Sequence, residues 1–420
     1  MQHSGIIIQK LLIYGLRIPF SVNWLYNELT FFLACFMKAL LILFSFILCF
    51  LAYKPKTQDS FAPAPSFIAN ISAKPYFTRT QLGLASKDAL HSSNVIELHN
   101  GDLLVSWFAG SREGHRDVGI YTQRFKQNTQ TWQTIVKVTD AKQSSSELNR
   151  YIKKVGNAVI TKVENNHLMM FYVSVSIGGW ATSQINIKHS FDNGASWEAA
   201  TRLVTSPFFN ISTLVRAHPI KNTNNELWLP AYYELAKTSN LIIKIDSKNN
   251  IHFTQSIATD SEALAPVFLA ISEKDIHVIA RPKPAGYIHS TDIKIESAKL
   301  STTLSTTLSI NNNHIDFTNP NASIDAIVLT KNLWLMAYNP LEQKRSHLGL
   351  AISVDQGRTW IHKKWIESKL VHLNGKSTEY SYPSLSLLHD GSIALSYTHN
   401  RTSIILNKFN LAWLLNEAKL

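Results

Sequence analysis

Acid–base, metal-binding and anion-binding chemistry all need side chains that this sequence supplies: 16 histidines, 41 lysines and arginines, and 29 aspartates and glutamates. Their spacing narrows the choice. The histidines never fall into H-x-x-H or H-E-x-x-H, and both cysteines, Cys35 and Cys49, lie in an apolar N-terminal stretch, so no metal site is expected. No G-x-G-x-x-G or G-K-[S/T] loop follows an apolar run and no G-x-S-x-G elbow occurs, so no cofactor is expected either. What is left is acid–base and cationic chemistry on loops and strand ends. The segment Gly110-Ser111-Arg112-Glu113-Gly114-His115-Arg116-Asp117 is polar, contains glycine and lies between two apolar runs. An acid sheltered on such a loop can hold a raised pKa and protonate a leaving oxygen.

The elements that must position these groups are β-hairpins. Past residue 90 one unit recurs: an alternating apolar run, a tight polar turn and a second apolar run. The turns centre on His99–Asp102, Asn165–His167, Asn224–Glu226, Glu273–Asp275, Thr330–Asn332 and His389–Ser392. Several carry Asn, Asp or Gly, which tolerate the positive φ that hairpin turns demand. The first apolar residues after the turns, Leu103, Leu168, Leu227, Ile276, Leu333 and Ile393, recur at the spacing of a four-stranded propeller blade, about 50 to 65 residues. Six such units predict an all-β fold, one six-bladed β-propeller. Arg216 then stands at the start of an inner strand, from which a side chain can face the central channel. Asp325 breaks an apolar pattern at the start of another, as a turn cap or as a channel-facing polar group. The low-complexity stretch Ser301–Asn313 reads as a worn blade edge or an exposed loop.

Composition agrees with a large β core. The chain has 420 residues, 45% of them hydrophobic and only 17% charged, which excludes a disordered or collagen-like chain. The net charge of +12 contains no run of five or more Lys or Arg, so no nucleic-acid partner is expected. A dispersed positive excess suits anionic sugars or polymers. From Leu29 to Tyr53 the sequence is almost wholly apolar, interrupted chiefly by Lys38. We read residues 1–56 as a hydrophobic signal-anchor or signal segment, an N-terminal membrane helix, with Met37-Lys38 as an alternative start. Residues 57–75, rich in Pro, Ser and Ala, read as a linker, and 76–420 as the propeller. The expected location is a membrane-anchored protein with its propeller exported, periplasmic or extracellular, and secreted if the segment is cleaved.

Ser190-Phe191-Asp192-Asn193-Gly194-Ala195-Ser196-Trp197 and Ser353-Val354-Asp355-Gln356-Gly357-Arg358-Thr359-Trp360 share the pattern S-x-D-x-G-x-[S/T]-W, and Phe125–Trp132 is a worn third copy. The Asp accepts turn N–H groups, the Gly supplies positive φ and the Trp plugs the hairpin against its blade. This pattern is the Asp box of sialidases and related propellers. From about residue 76 to 415 the chain resembles that sialidase-like family, most closely over His91–Arg124, Arg345–Trp360 and Ser381–Trp413.

The resemblance implies an exo-acting glycoside hydrolase that removes a terminal, acidic, sialic-acid-like sugar from a glycan or glycoconjugate. The family's nucleophile is a tyrosine. The anomeric carbon of a sialic acid carries a carboxylate that would repel an anionic Asp or Glu, whereas a phenol activated by a neighbouring carboxylate avoids that repulsion. Tyr382 in Ser381-Tyr382-Pro383-Ser384-Leu385 matches that position. Its activating carboxylate is Glu379 or Glu234, since the glutamate often found in the last blade is Thr398 here. Asp117 matches the acid/base, with Glu113 as a substitute. Three arginines ordinarily hold the substrate carboxylate, because guanidinium forks match it bidentately. Arg112 and Arg345 match two of the family's arginines and Arg216 is a third candidate. The family's opening arginine segment, however, reads His91-Ser92-Ser93-Asn94. This departure implies a different acidic or neutral sugar, contacted by His91, Asn94, His218 and Asp325. The alternatives are a non-catalytic carbohydrate-binding propeller and a scaffold for protein partners.

Overall fold

The computed structural model describes residues 22–52, 59–62, 74–83, 89–206, 210–235, 237–259, 262–300, 303–368, 372–373 and 376–416. The chain divides into two units, Met1–Gln58 and Asp59–Leu420. In the first, Val22–Ala52 is a helix, and its described side chains include the exposed Phe31, Phe32, Phe36, Leu41 and Phe44. Among the described residues no helix is long and apolar enough to cross a membrane. The side chains described within this helix run only from Thr30 to Ser45.

The second unit is a six-bladed β-propeller, each blade a four- or five-stranded antiparallel sheet. The inner strands are Ala89–Glu97, Lys154–Glu164, Thr213–Val215 continued by Ile220–Lys221, Ala263–Ala270, Asp325–Thr330 and Tyr380–Leu387. These define blades 1 to 6. Each expected hairpin turn joins an inner strand to the second strand of its blade, and strand alternation sends one face of every sheet to each neighbour. The core is accordingly divided into six apolar clusters, one between each pair of adjacent blades. The ring closes because Phe77–Leu82 pairs with Ser403–Phe409 and supplies the outer strand of blade 6.

Both Asp boxes form as expected. Asp192 accepts from Ser196 N at 2.9 Å and Oγ at 2.6 Å, and Asp355 accepts from Thr359 N at 2.9 Å and Oγ1 at 2.6 Å. Gly194 and Gly357 take φ of +83° and +85°. Within the Ser301–Asn313 stretch, the described residues 303–313 belong to a long hairpin in blade 4, Gly286–Leu300 with Thr303–Asn319. Lys294 is the last residue of Gly286–Leu300 paired with the second strand; beyond it the two long strands pair with each other alone.

In the stretch read as a linker, Asp59–Ala62 docks on blades 3 and 4, while residues 63–73 lie outside the described residues. Phe61 is buried edge-on to Trp228 at 5.2 Å between ring centroids, and its N–H donates to Glu273 O at 3.0 Å. Asp59 meets the buried Lys244 at 2.5 Å, and Glu226 meets the same ammonium at 2.7 Å. An apolar pattern search passes over this segment because a single Phe and a single Asp have no periodicity. Phe61→Ala empties a closed apolar site and should cost about 3–5 kcal/mol of stability. Urea unfolding of the full-length protein should show a lower midpoint with an unchanged m value.

Candidate functional site

Antiparallel blades put the loops entering the inner strands, and those joining second to third strands, on one face of the disc. The hairpin turns and Asp boxes share the other. By this topology His91, Asp117, Arg216, Glu234, Arg345, Glu379 and Tyr382 all lie toward the first face, the mouth.

Tyr382 owes its placement to a bulge. In four inner strands two residues oppose one on the neighbouring strand, and the first of the two has positive φ: Ser92 (56°), Asn157 (46°), Ala265 (52°) and Tyr382 (55°). Small or polar residues hold this position in blades 1, 2 and 4; blade 6 puts an aromatic there, at a cost of about 1–2 kcal/mol. The flanking backbone is gripped on both sides. Arg216 Nη2 donates to Pro383 O at 2.9 Å, and Leu385 N donates to Asp325 Oδ2 at 2.7 Å. Ser384 Oγ accepts from Val95 N at 3.3 Å.

Beneath it lies a polar knot on the axis. Asn94 Oδ1 accepts from Ile160 N at 3.0 Å, while its Nδ2 donates to His218 Nε2 at 2.9 Å and lies 3.4 Å from Ser384 Oγ. His218 Nδ1 donates to Ile160 O at 3.3 Å, which fixes the tautomer and leaves Nε2 as acceptor. Burial, helped by Arg216, holds His218 down at about 4, so it is neutral. Burial pushes Asp325 up to about 7 against the pull of Leu385 N–H, Arg216 and Ala326 N–H. The Asp325 side chain thus joins the start of the blade 5 inner strand to the interior of the blade 6 inner strand and also faces a buried cation.

Cations ring the tyrosine. The guanidinium of Arg216 lies 5.3 Å and that of Arg345 lies 5.8 Å from the Tyr382 ring centroid. Arg281, at the end of the second strand of blade 4, lies close enough to Tyr382 for the two groups to interact electrostatically. Burial works against the Arg281 charge, but Tyr382, Tyr232 and Glu234 outweigh it. Asn321 O joins two of these side chains, accepting from Arg281 Nη1 at 3.2 Å and Arg345 Nη2 at 2.9 Å. Sequence reasoning missed Arg281 and Tyr232; the available signal was a charge closing the apolar run His277–Pro282, the irregularity that marked Asp325.

The two candidate carboxylates differ in their commitments. Glu379 is held by Arg401 through Nε at 2.7 Å and Nη2 at 3.1 Å, by Ser381 Oγ at 2.9 Å and by Arg345 Nη1 at 3.4 Å. Burial pushes the Glu379 carboxyl up, but Arg401, Ser381 and Arg345 outweigh it and keep it below the usual range. The Glu234 carboxylate makes no hydrogen bond or ion pair among the described residues, yet its field reaches Arg281 and Tyr232.

On the blade 1 side His91 is 1% exposed, with its ring 4.3 Å from that of Tyr382 and 5.6 Å from Phe108. Burial, then Arg401, Arg345 and Arg216, hold His91 well below its ordinary value, so it is neutral. Asp117 accepts from Ser111 N at 2.9 Å, Ser111 Oγ at 3.0 Å and His115 Nδ1 at 2.7 Å on an exposed loop. Glu113 of the same loop pairs with Arg401, which ties blade 1 to Glu379. Arg112 is exposed and makes no side-chain hydrogen bond among the described residues. Trp180 closes the blade 2 side over Gly156, where a Cβ would come within 2.8 Å of the indole. Among the described residues no group of three His, Cys, Asp or Glu could hold a metal ion.

The left-handed backbone at residue 382 predicts an order among truncations: Tyr382→Gly should be more stable than Tyr382→Ala by about 1 kcal/mol, the reverse of the ranking in an ordinary strand. Urea unfolding of the two variants checks this.

Residues 101–395 match the family model described as the BNR repeat-like domain. Among curated proteins none matches. The fold is similar to that of the Hadza microbial sialidase, with a TM-score of 0.59 and 14% identity over 78% of this chain and 66% of that one. It is also similar to the NanB sialidase from Streptococcus pneumoniae, with a TM-score of 0.58 and 12% identity over 80% of this chain and 70% of that one. The intramolecular trans-sialidase from Ruminococcus gnavus gives 0.59 and 11% identity over 84% of this chain and all of that one, 100%. At such identities the likeness shows a shared fold.

Proposed function

The chain belongs to the BNR repeat-like family of sialidase-like propellers, and from that premise we propose that it is an exo-acting glycosidase releasing a terminal acidic sugar. The observation that carries the reading is the meeting of a strained Tyr382 with Arg216, Arg281 and Arg345 at one mouth. Strain of this kind persists where the surroundings over-determine it, and such places are commonly functional. Guanidinium groups gathered around a phenol provide both a seat for a substrate carboxylate and stabilisation of developing phenolate charge.

In the proposed reaction the Tyr382 oxygen attacks the anomeric carbon and Asp117 protonates the departing oxygen. Water then attacks the glycosyl–tyrosine, with Asp117 taking its proton. Glu234, the uncommitted carboxylate, receives the phenolic proton in the first step and returns it in the second. Glu379 serves to hold Arg345 and Arg401 in place. With His91 neutral where the family's first arginine is expected, the carboxylate is held by Arg281 and Arg345, with Arg216 behind the ring. His91 and Phe108 leave the blade 1 side of the mouth uncharged, while the Lys154 ammonium lies 4.1 Å from the Trp180 ring centroid on the blade 2 side. We place the propeller outside the cytoplasmic membrane, anchored by the N-terminal apolar helix; the exposed phenylalanines of Val22–Ala52 support this placement.

Full-length protein in neutral detergent should release sugar from an acidic-glycoside panel. Tyr382→Phe should abolish release and Glu234→Gln should lower turnover by about 10²–10⁴. Asp117→Asn should slow substrates with poor leaving groups far more than those with a nitrophenol, which needs no protonation. Release that survives Tyr382→Phe overturns the nucleophile. Sugar binding without turnover by the unaltered protein favours a carbohydrate-binding propeller.

A further inference from the structure

Beside the mouth, between blades 1 and 2, a cavity of about 500 Å³ opens on the same face as Asp117. Its cationic wall comes from three separate segments: Arg116 in the loop of blade 1, Lys142 in the short helix Ala141–Glu147, and Arg150 at the entry to the inner strand of blade 2. The Arg116 guanidinium lies 5.7 Å from the ring centroid of Tyr151, which is 55% exposed, and Ser145 and Ser146 add hydroxyl-bearing walls.

The charge there is uncompensated. Among the described residues none of the three cations pairs with a carboxylate, and the one hydrogen bond made by their side chains runs from Arg150 to the neutral Gln184 Oε1 at 2.6 Å. The acids nearest in sequence are turned elsewhere. Asp140 caps the short helix and pairs with Lys137 at 2.8 Å, and Glu147 pairs with the buried Lys188 at 2.7 Å. Arg202 adds its field to that of Arg150. Three like charges around one recess repel one another, and an anion entering it relieves that repulsion.

We propose that this recess is a second glycan subsite, which binds a carboxylate-bearing sugar of an acidic polysaccharide. Arg116, Lys142 and Arg150 hold the carboxylate, Tyr151 stacks on the apolar face of the ring, and Ser146 meets a hydroxyl, while the Ser145 hydroxyl is tied to Ala141 O and Ile152 N. The identification of the ligand as a glycan rests on the reading of the mouth; the anion requirement rests on the recess alone. The deduced substrate is a polymer carrying more than one acidic residue, held at two places on one face.

Affinity electrophoresis of the full-length protein in neutral detergent tests this through gels containing polygalacturonate, dextran sulfate or neutral dextran. Retardation by polygalacturonate, with none by neutral dextran, is expected. The Arg116→Ala/Lys142→Ala/Tyr151→Ala variant should bind the polyuronate about tenfold more weakly, roughly 1.4 kcal/mol. Lys142→Glu, an exposed charge reversal that leaves the core untouched, should weaken it in the same direction. The readout is binding and requires no turnover, so a failure of the catalytic reading leaves this result standing. Equal retardation of all variants, equal retardation by neutral dextran, or binding to the sulfated polymer alone would each overturn the proposal.

Discussion

The proposed chemistry of this propeller depends on one backbone constraint, the extra residue in the inner strand of blade 6 that turns Tyr382 into a left-handed conformation. An ordinary strand would send that side chain toward a neighbouring blade. The bulge instead aims the ring at the mouth, and it recurs in blades 1, 2 and 4, where Ser92, Asn157 and Ala265 occupy the same place. Blade 6 alone combines it with an aromatic, and the backbone is then held from two other blades, by Arg216 in blade 3 and Asp325 in blade 5. Residues that look from sequence like substrate ligands thus also position the tyrosine.

Much of the architecture was legible in the sequence because hairpin turns and Asp boxes obey local rules. Asn, Asp and Gly must stand where φ is positive, and the alternation on either side must match a pleated strand. The ring of groups around Tyr382 was only partly legible. Arg345 and Tyr382 sit in motifs, whereas Arg281, Tyr232 and Arg401 come from three different hairpins and meet only once the ring closes. No spacing along the chain encodes that meeting. The docking of Phe61 was invisible for a related reason: its partner Trp228 is more than 160 residues away, and one aromatic in a proline-rich stretch carries no period. The stretch Ser301–Asn313 looked irregular because its low-complexity sequence has no apolar alternation, yet Thr303–Asn313 pairs residue by residue with Ser290–Leu300 across a long hairpin.

Electrostatics at the mouth are set by burial as much as by sequence. His91 stands at a position where the resemblance leads one to expect a permanent cation, yet burial and three guanidinium groups keep it neutral. Positive charge has moved away from blade 1 toward blades 3, 4 and 5, with Arg401 tied up by Glu379 and Glu113. In the proposed glycosidase, the substrate carboxylate is accordingly met from blades 4 and 5 instead of blade 1.

The seat of Asp59–Ala62 has a spatial corollary. These residues lie against the turns Asn222–Glu226 and Ile271–Asp275, on the side of the disc that carries the Asp boxes. Asp59 is thus fastened to the rear of the wheel, and the ion trio with Lys244 and Glu226 works as a strain relief, like the grommet on a cable. A pull applied at Asp59 is borne by blade 3 before it can reach the closing strand Phe77–Leu82.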